Sequence, residues 1–142
     1  MIYQRIKSIN DTDIPYLTSI LDMPEISRYI SIDRDNYWNY VTMTNNVFYF
    51  KAYSEKALVG AVHLEASGET LYMDIMVIPE LQGKGIGTTI LRDVLTDKLI
   101  TGFKSVEVSI DKSNIASARL FEKMGFIFKS EDDGLLNYVY FK

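Results

Sequence analysis

The 142-residue chain has no cysteine and a single histidine, His63. The first absence excludes disulfide scaffolds, zinc ribbons, iron–sulfur clusters and thiol nucleophiles together. The second excludes a multi-histidine metal centre, and no metal is expected. Proline occurs three times, at Pro15, Pro24 and Pro79, each near the edge of a periodic segment. No stretch approaches the ~20 apolar residues of a membrane span, and Met1 to Lys7 lacks the apolar run of a secretory leader. Positive charge is in deficit: 15 Lys and Arg against 19 Asp and Glu leave a net charge of −4, which disfavours binding to a phosphate backbone. The expectation is a soluble cytoplasmic protein whose partners are neither nucleic acid nor membrane. What is present fits a globule, since 47% apolar and 24% charged residues match an ordinary folded domain. One domain over residues 1–142 is expected, large enough to bury about 68% of its unfolded surface without staples.

There is no internal repeat or linker. Ile2 to Lys7 alternates and predicts a strand. Asp11, Thr12 and Asp13, ahead of Ile14, Pro15, Leu17 and Leu21, predict a capped helix start. Tyr37, Tyr40, Val41 and Thr44 fall at helical spacing and predict a second helix within residues 33–44. Residues 47–53, 58–65 and 71–77 predict three strands of an antiparallel meander, joined by turns at Ser54–Lys56 and Ser67–Glu69. A glycine-rich loop follows, then a helix from about Gly85 to Ile100 ended by Gly102, then a strand at Ser105–Ile110. Strand, helix, strand at that spacing is a βαβ unit, so 71–77 and 105–110 should run parallel through a right-handed crossover. Asn114 is placed to cap a shorter helix running to Lys123, with Gly125 as its left-handed C-cap. Residues 126–128 and 135–141 predict a closing hairpin over Glu131–Gly134. The fold class is α+β: a central, mixed, mostly antiparallel seven-stranded sheet with one parallel crossover, flanked by about four helices.

The most informative stretch is Gln82-Gly83-Lys84-Gly85-Ile86-Gly87, between a strand and a helix. Alternate glycines leave backbone amides uncovered at the positive end of a helix dipole, which makes an anion site, and Lys84 adds charge. The spacing is neither G-x-x-x-x-G-K-[ST] nor G-x-G-x-x-G, so both nucleotide-binding loops are excluded. Glu107 lies about twenty residues on, where a dinucleotide site wants an acid, but inside a strand rather than at its end.

Gln82-x-x-Gly85-x-Gly87, following Met76 to Pro79, resembles the acyl-CoA loop of the GNAT acetyltransferase superfamily. Asn114-x-Ala116-x-x-x-Leu120-Phe121-Glu122-Lys123-x-Gly125-Phe126 resembles that superfamily's closing helix motif. The element order agrees along essentially the whole chain. The resemblance implies a GNAT-like fold and acetyl-CoA as co-substrate. Its pantetheine arm would pair with the backbone of Ile75, Met76 and Val77, in a gap between the parallel strands. Its pyrophosphate would rest behind Gln82 on the amides of Gly83, Lys84, Gly85, Ile86, Gly87 and Thr88, with the Thr88 hydroxyl adding a contact. Asn114 would bond the arm as well as capping its helix, and Ser117, Phe121 and Lys123 would lie along it.

The implied reaction is direct attack of an amine on the thioester, with both substrates bound. It needs a proton acceptor, an oxyanion donor and a protonated leaving group. A strand amide near Val77 is the natural oxyanion donor. Many superfamily members carry tyrosine as the acid where this chain has Phe121, which cannot donate. Ser117 and Tyr138 are the candidate replacements, with Tyr140 behind them. For the base, Tyr72 and Asp74 share one strand face and His63 and Glu65 share another, although His63 between Val62 and Leu64 reads better as structural. Tyr29, Tyr37, Trp38, Tyr40, Phe48 and Tyr49 fall in the region from which the superfamily builds its acceptor pocket, and Glu131, Asp132 and Asp133 on a rim hairpin. Core packing for the aromatics and a solvated turn for the acids are the favoured readings. Acid and aromatic together would suit a cationic small-molecule amine. A protein N-terminus or lysine as acceptor, and a non-catalytic acyl-CoA-binding module, remain the alternatives. Either a monomer or a homodimer is compatible.

Overall fold

In the computed structural model, which describes residues 1–142, the period-two segments become seven strands: β1 (Ile2–Arg5), β2 (Val47–Ser54), β3 (Ala57–Ser67), β4 (Thr70–Val77), β5 (Ser105–Asp111), β6 (Ile127–Asp132) and β7 (Leu135–Phe141). They form one sheet in the order β1-β2-β3-β4-β5-β7-β6. Every neighbouring pair is antiparallel except β4 and β5, which run parallel as the βαβ spacing requires. The β2–β3 hairpin turns through Glu55 and Lys56, both at positive φ, a geometry whose twist matches its strands.

Five helices cover the sheet: α1 (Ile14–Leu21), α2 (Pro24–Ser27), α3 (Tyr37–Met43), α4 (Ile86–Leu95) and α5 (Ile115–Lys123). On one face α4 and α5 set Ile90, Leu91, Val94 and Phe121 against Leu71, Met73, Val106 and Val108. On the other, α1 to α3 set Leu17, Ile20, Leu21, Ile26 and Val41 against Val47, Tyr49, Ala61 and Met76. No helix is long and apolar enough to cross a membrane.

Four local outcomes differ from the sequence reading. Strand β6 runs on to Asp132, so the closing hairpin turns on Asp133 and Gly134 alone, both at positive φ. The helix starting at 86 stops at Leu95, not near Gly102. Asp97 takes the left-handed position (φ 64), while its amide reaches the Val94 carbonyl and that of Lys98 reaches the Asp93 carbonyl. That is a Schellman closure, with aspartate standing where glycine is usual. The single turn α2 adds a helix too short to carry a periodic signal. Asp13 stands at the N-cap of α1 without capping it. Its carboxylate instead accepts from Lys51 Nζ at 2.8 Å and from the Tyr53 hydroxyl at 2.6 Å, because the nearly buried Lys51 cation needs an anion more than the helix needs a cap.

Candidate active site

Strands β4 and β5 pair over three residues only, Thr70 with Ser105, Leu71 with Val106 and Tyr72 with Glu107, and then diverge. β4 stays bonded to β3 as far as Val77, and β5 to β7 as far as Asp111, so each keeps its outer neighbour and the sheet opens between them. The Ile78 amide donates to the Val59 carbonyl at 3.0 Å, which turns the even-numbered backbone groups of β4 toward β3. The N–H and C=O groups of Met73, Ile75 and Val77 therefore face the gap. Gln82 Nε2 donates to the Val77 carbonyl at 3.3 Å, tying the loop to this edge.

The gap opens into a cleft of about 380 Å³. Its floor is Ile75, Met76 and Val77, and its loop wall is Gln82, Gly83, Gly85, Ile86, Gly87 and Thr88. Gly83 and Gly85 stand at φ 80 and 83, where a side chain would be strained, and a Cβ on either would meet only open space. No amide from Gly83 to Thr88 donates within the chain, and α4 has no side-chain cap. Successive free amides at a helix start make a concave anion seat. Lys84 is exposed in the middle of that run but lies outside the cleft lining.

The opposite wall comes from α5. Asn114 Oδ1 accepts from the Ser117 amide at 3.2 Å, so the oxygen caps the helix while the NH₂ group remains free at the cleft. Ser117 and Phe121 line the same wall, Phe121 being held edge-on against Phe126 with ring centroids 5.0 Å apart. Lys123, in the last turn of α5, lies outside it.

The profile of the acetyltransferase (GNAT) family matches residues 14–126. The chain belongs to the GNAT acetyltransferase family. Its enzymes are acyltransferases, and this GNAT domain has the corresponding fold throughout. A domain from Methanocaldococcus jannaschii DSM 2661 matches with a TM-score of 0.81 at 20% identity, over 99% of this chain and 100% of that one. The N-acetyltransferase PseH of Campylobacter jejuni, solved in complex with acetyl coenzyme A, matches at 0.78 and 12%, over 99% of each chain. The spermidine N-acetyltransferase of Vibrio cholerae, solved with CoA and spermine, matches at 0.79 and 17%, over 98% of this chain and 95% of that one. No curated protein sequence matches the chain.

On the far side of β4, the GNAT cleft meets a second cavity of about 150 Å³. Asp74, Met76 and Ile30 line both. The Asp74 side chain is open to solvent along a concave wall, and crowding by surrounding protein pushes its carboxyl above the ordinary range. The expected face-sharing holds across strands as well: His63 pairs with Asp74 and Glu65 with Tyr72. His63 is confirmed in a packed setting, with Nδ1 and the Tyr37 hydroxyl 2.6 Å apart in a hydrogen bond and burial lowering its pKa to about 4. Burial likewise raises the Tyr37 and Tyr49 hydroxyls. Glu65 is occupied by the Tyr40 hydroxyl.

Other candidates fall elsewhere. Tyr72 is exposed on the sheet face and lines neither cavity. Tyr138 is buried and donates to Glu122 Oε1 at 2.6 Å, which raises its pKa to about 12, and it too lies outside both linings. Phe48 points to the other face, where the Arg5 guanidinium stacks 4.4 Å from its ring centroid. Glu131 and Asp132 end strand β6, Asp133 sits on the β6–β7 turn, and none reaches either cavity. The cleft also recruits Ser109 and Asp111 of β5 and Glu25 of α2, which sequence reasoning passed over. The signal for the first two was available: a parallel pair that parts must expose the end of both strands.

Proposed function

We propose that this GNAT domain transfers an acetyl group from acetyl-CoA to the primary amine of a small molecule while both substrates are bound. The observation that carries the reading is the run of unpartnered amides from Gly83 to Thr88, continuous with the unpaired edge of β4. The first suits a pyrophosphate and the second an amide-bearing arm. The complexes of PseH with acetyl coenzyme A and of the Vibrio cholerae enzyme with CoA, on the same fold, support this choice. The spermidine acceptor of the Vibrio cholerae enzyme supports a small amine over a protein.

Acetyl-CoA supplies an activated thioester, at which amine attack forms the C–N bond and releases CoA as a thiolate. Asp74 accepts the proton that the ammonium must lose, directly or through water; its raised pKa makes it a better base than a surface carboxylate. The Val77 amide, turned into the gap, donates to the acetyl oxygen. A thiol with a pKa of about 8.5 leaves tolerably as the anion near neutrality. Where protonation helps, Ser117 is the α5 hydroxyl on the cleft wall, whereas Tyr138 is engaged with Glu122.

Titration calorimetry of acetyl-CoA against the wild type and Gly85→Ala tests the placement. We expect saturable binding, weakened at least tenfold in the variant while circular dichroism stays unchanged. Equal affinity in both would contradict a pyrophosphate on this loop.

A further inference from the structure

Resting on the acetyltransferase reading, we infer that the acceptor is a compact monoamine, with its ammonium beside Asp74 and one apolar group of about benzene size in the second cavity. Three observations converge on that class. The first is size and position. At about 150 Å³ the cavity equals an apolar cavity that takes benzene, and it joins the cleft at Ile30, Asp74 and Met76. A body seated there keeps its amine at the junction with the cleft.

The second is lining. Leu21, Ile32, Tyr37 and Tyr49 make the walls apolar and aromatic, which rewards a hydrocarbon group and penalises a second ammonium. The third is charge. Asp74 is the one carboxyl group on this lining and has neither a hydrogen bond nor an ion pair within the chain. His63 across from it is uncharged at neutral pH. No lysine or arginine lines the cavity, so an amino acid's carboxylate would find no cation there. Tyr49, 3% exposed, leaves its hydroxyl without a partner in the chain, so one neutral polar group is also on offer.

The test is CoA release, followed with a thiol reagent, for phenethylamine and isoamylamine against spermidine, phenylalanine and an alanyl peptide. The kcat/KM of the two apolar monoamines should exceed each of the others by at least tenfold. Ser31→Phe, in an exposed loop on the cavity rim, should raise the KM for phenethylamine at least tenfold and leave acetyl-CoA affinity unchanged. Preference for spermidine, phenylalanine or the peptide, with acetyl-CoA bound normally, would overturn this assignment and leave acetyl transfer standing. An unaffected KM in Ser31→Phe would do the same. Failure of acetyl-CoA to bind at all would overturn both.

Discussion

Asp74 and His63 face each other across β3 and β4, and protein crowding moves both away from the charged state. Their consequences for stability run in opposite directions. Unfolded, His63 titrates near 6.5, whereas folded it titrates at about 4, so the unfolded chain binds the extra proton between those values. Stability present above pH 6.5 should therefore fall as pH drops toward 4, by about 3 kcal/mol, and His63→Gln should flatten that part of the profile. For Asp74 the folded pKa lies above the unfolded one. The folded state then binds the extra proton, and stability declines as pH rises from about 3.8 through the raised value. Asp74→Asn should thus raise Tm at pH 7, lose that advantage in acid, and lower kcat by roughly 10²–10⁴-fold. Denaturation profiles against pH and steady-state rates check both; a Tm unchanged at pH 7 would show that the carboxylate is not strained. Phe121→Tyr places a hydroxyl on the wall where Phe121 now lines the cleft. We expect kcat to rise about tenfold or more with the acetyl-CoA KM unchanged, if sulfur protonation limits the rate. An unaltered kcat would show that the thiolate leaves unaided.

At the scale of elements, the site is made by what β4 and β5 do not share. Gly87, in the first turn of α4, faces that space: a Cβ there would lie 3.5 Å from Leu120 and 3.7 Å from Val77, ordinary contacts. Gly87→Ala should therefore keep stability or raise it by up to about 1 kcal/mol of helix propensity, read as an unchanged or higher Tm, while weakening acetyl-CoA binding. Gly60 is the converse. Its Cβ would stand 2.6 Å from the Met76 carbonyl, inside the β3–β4 ladder that holds the cleft floor. Gly60→Ala should cost on the order of 2 kcal/mol and loosen the cofactor seat with it, read by thermal melts and by calorimetry. The loop and both crossover strands were legible in the sequence because local chemistry makes them: alternate glycines free the amides, and the βαβ spacing imposes the parallel pair. The stop of α4 was not, since Asp97 occupies a position where glycine is the ordinary signal. Asp13 misled for a related reason, as Lys51, far along the chain, claims its carboxylate.

Over the whole molecule, the two faces of the sheet divide the work. The α4–α5 face offers free backbone groups and helix ends, which sequence motifs mark. The α1–α3 face lines its cavity with side chains drawn from residues 21, 30–32, 37, 49, 63 and 74, brought together only by tertiary packing. That is why the glycine loop and the opening between β4 and β5 were legible in the sequence, while the second cavity was not, and why Tyr72 and Tyr138, plausible on their strands, lie outside both linings. The central claim is acetyl transfer to an amine at the junction of those faces. Its most direct measurement is release of free CoA from acetyl-CoA in the presence of a primary amine. The absence of cysteine ensures that every thiol detected comes from the co-substrate. The account predicts amine-dependent, saturable release that Asp74→Asn suppresses. Saturable acetyl-CoA binding with no release for any amine would contradict it and leave a binding module in its place.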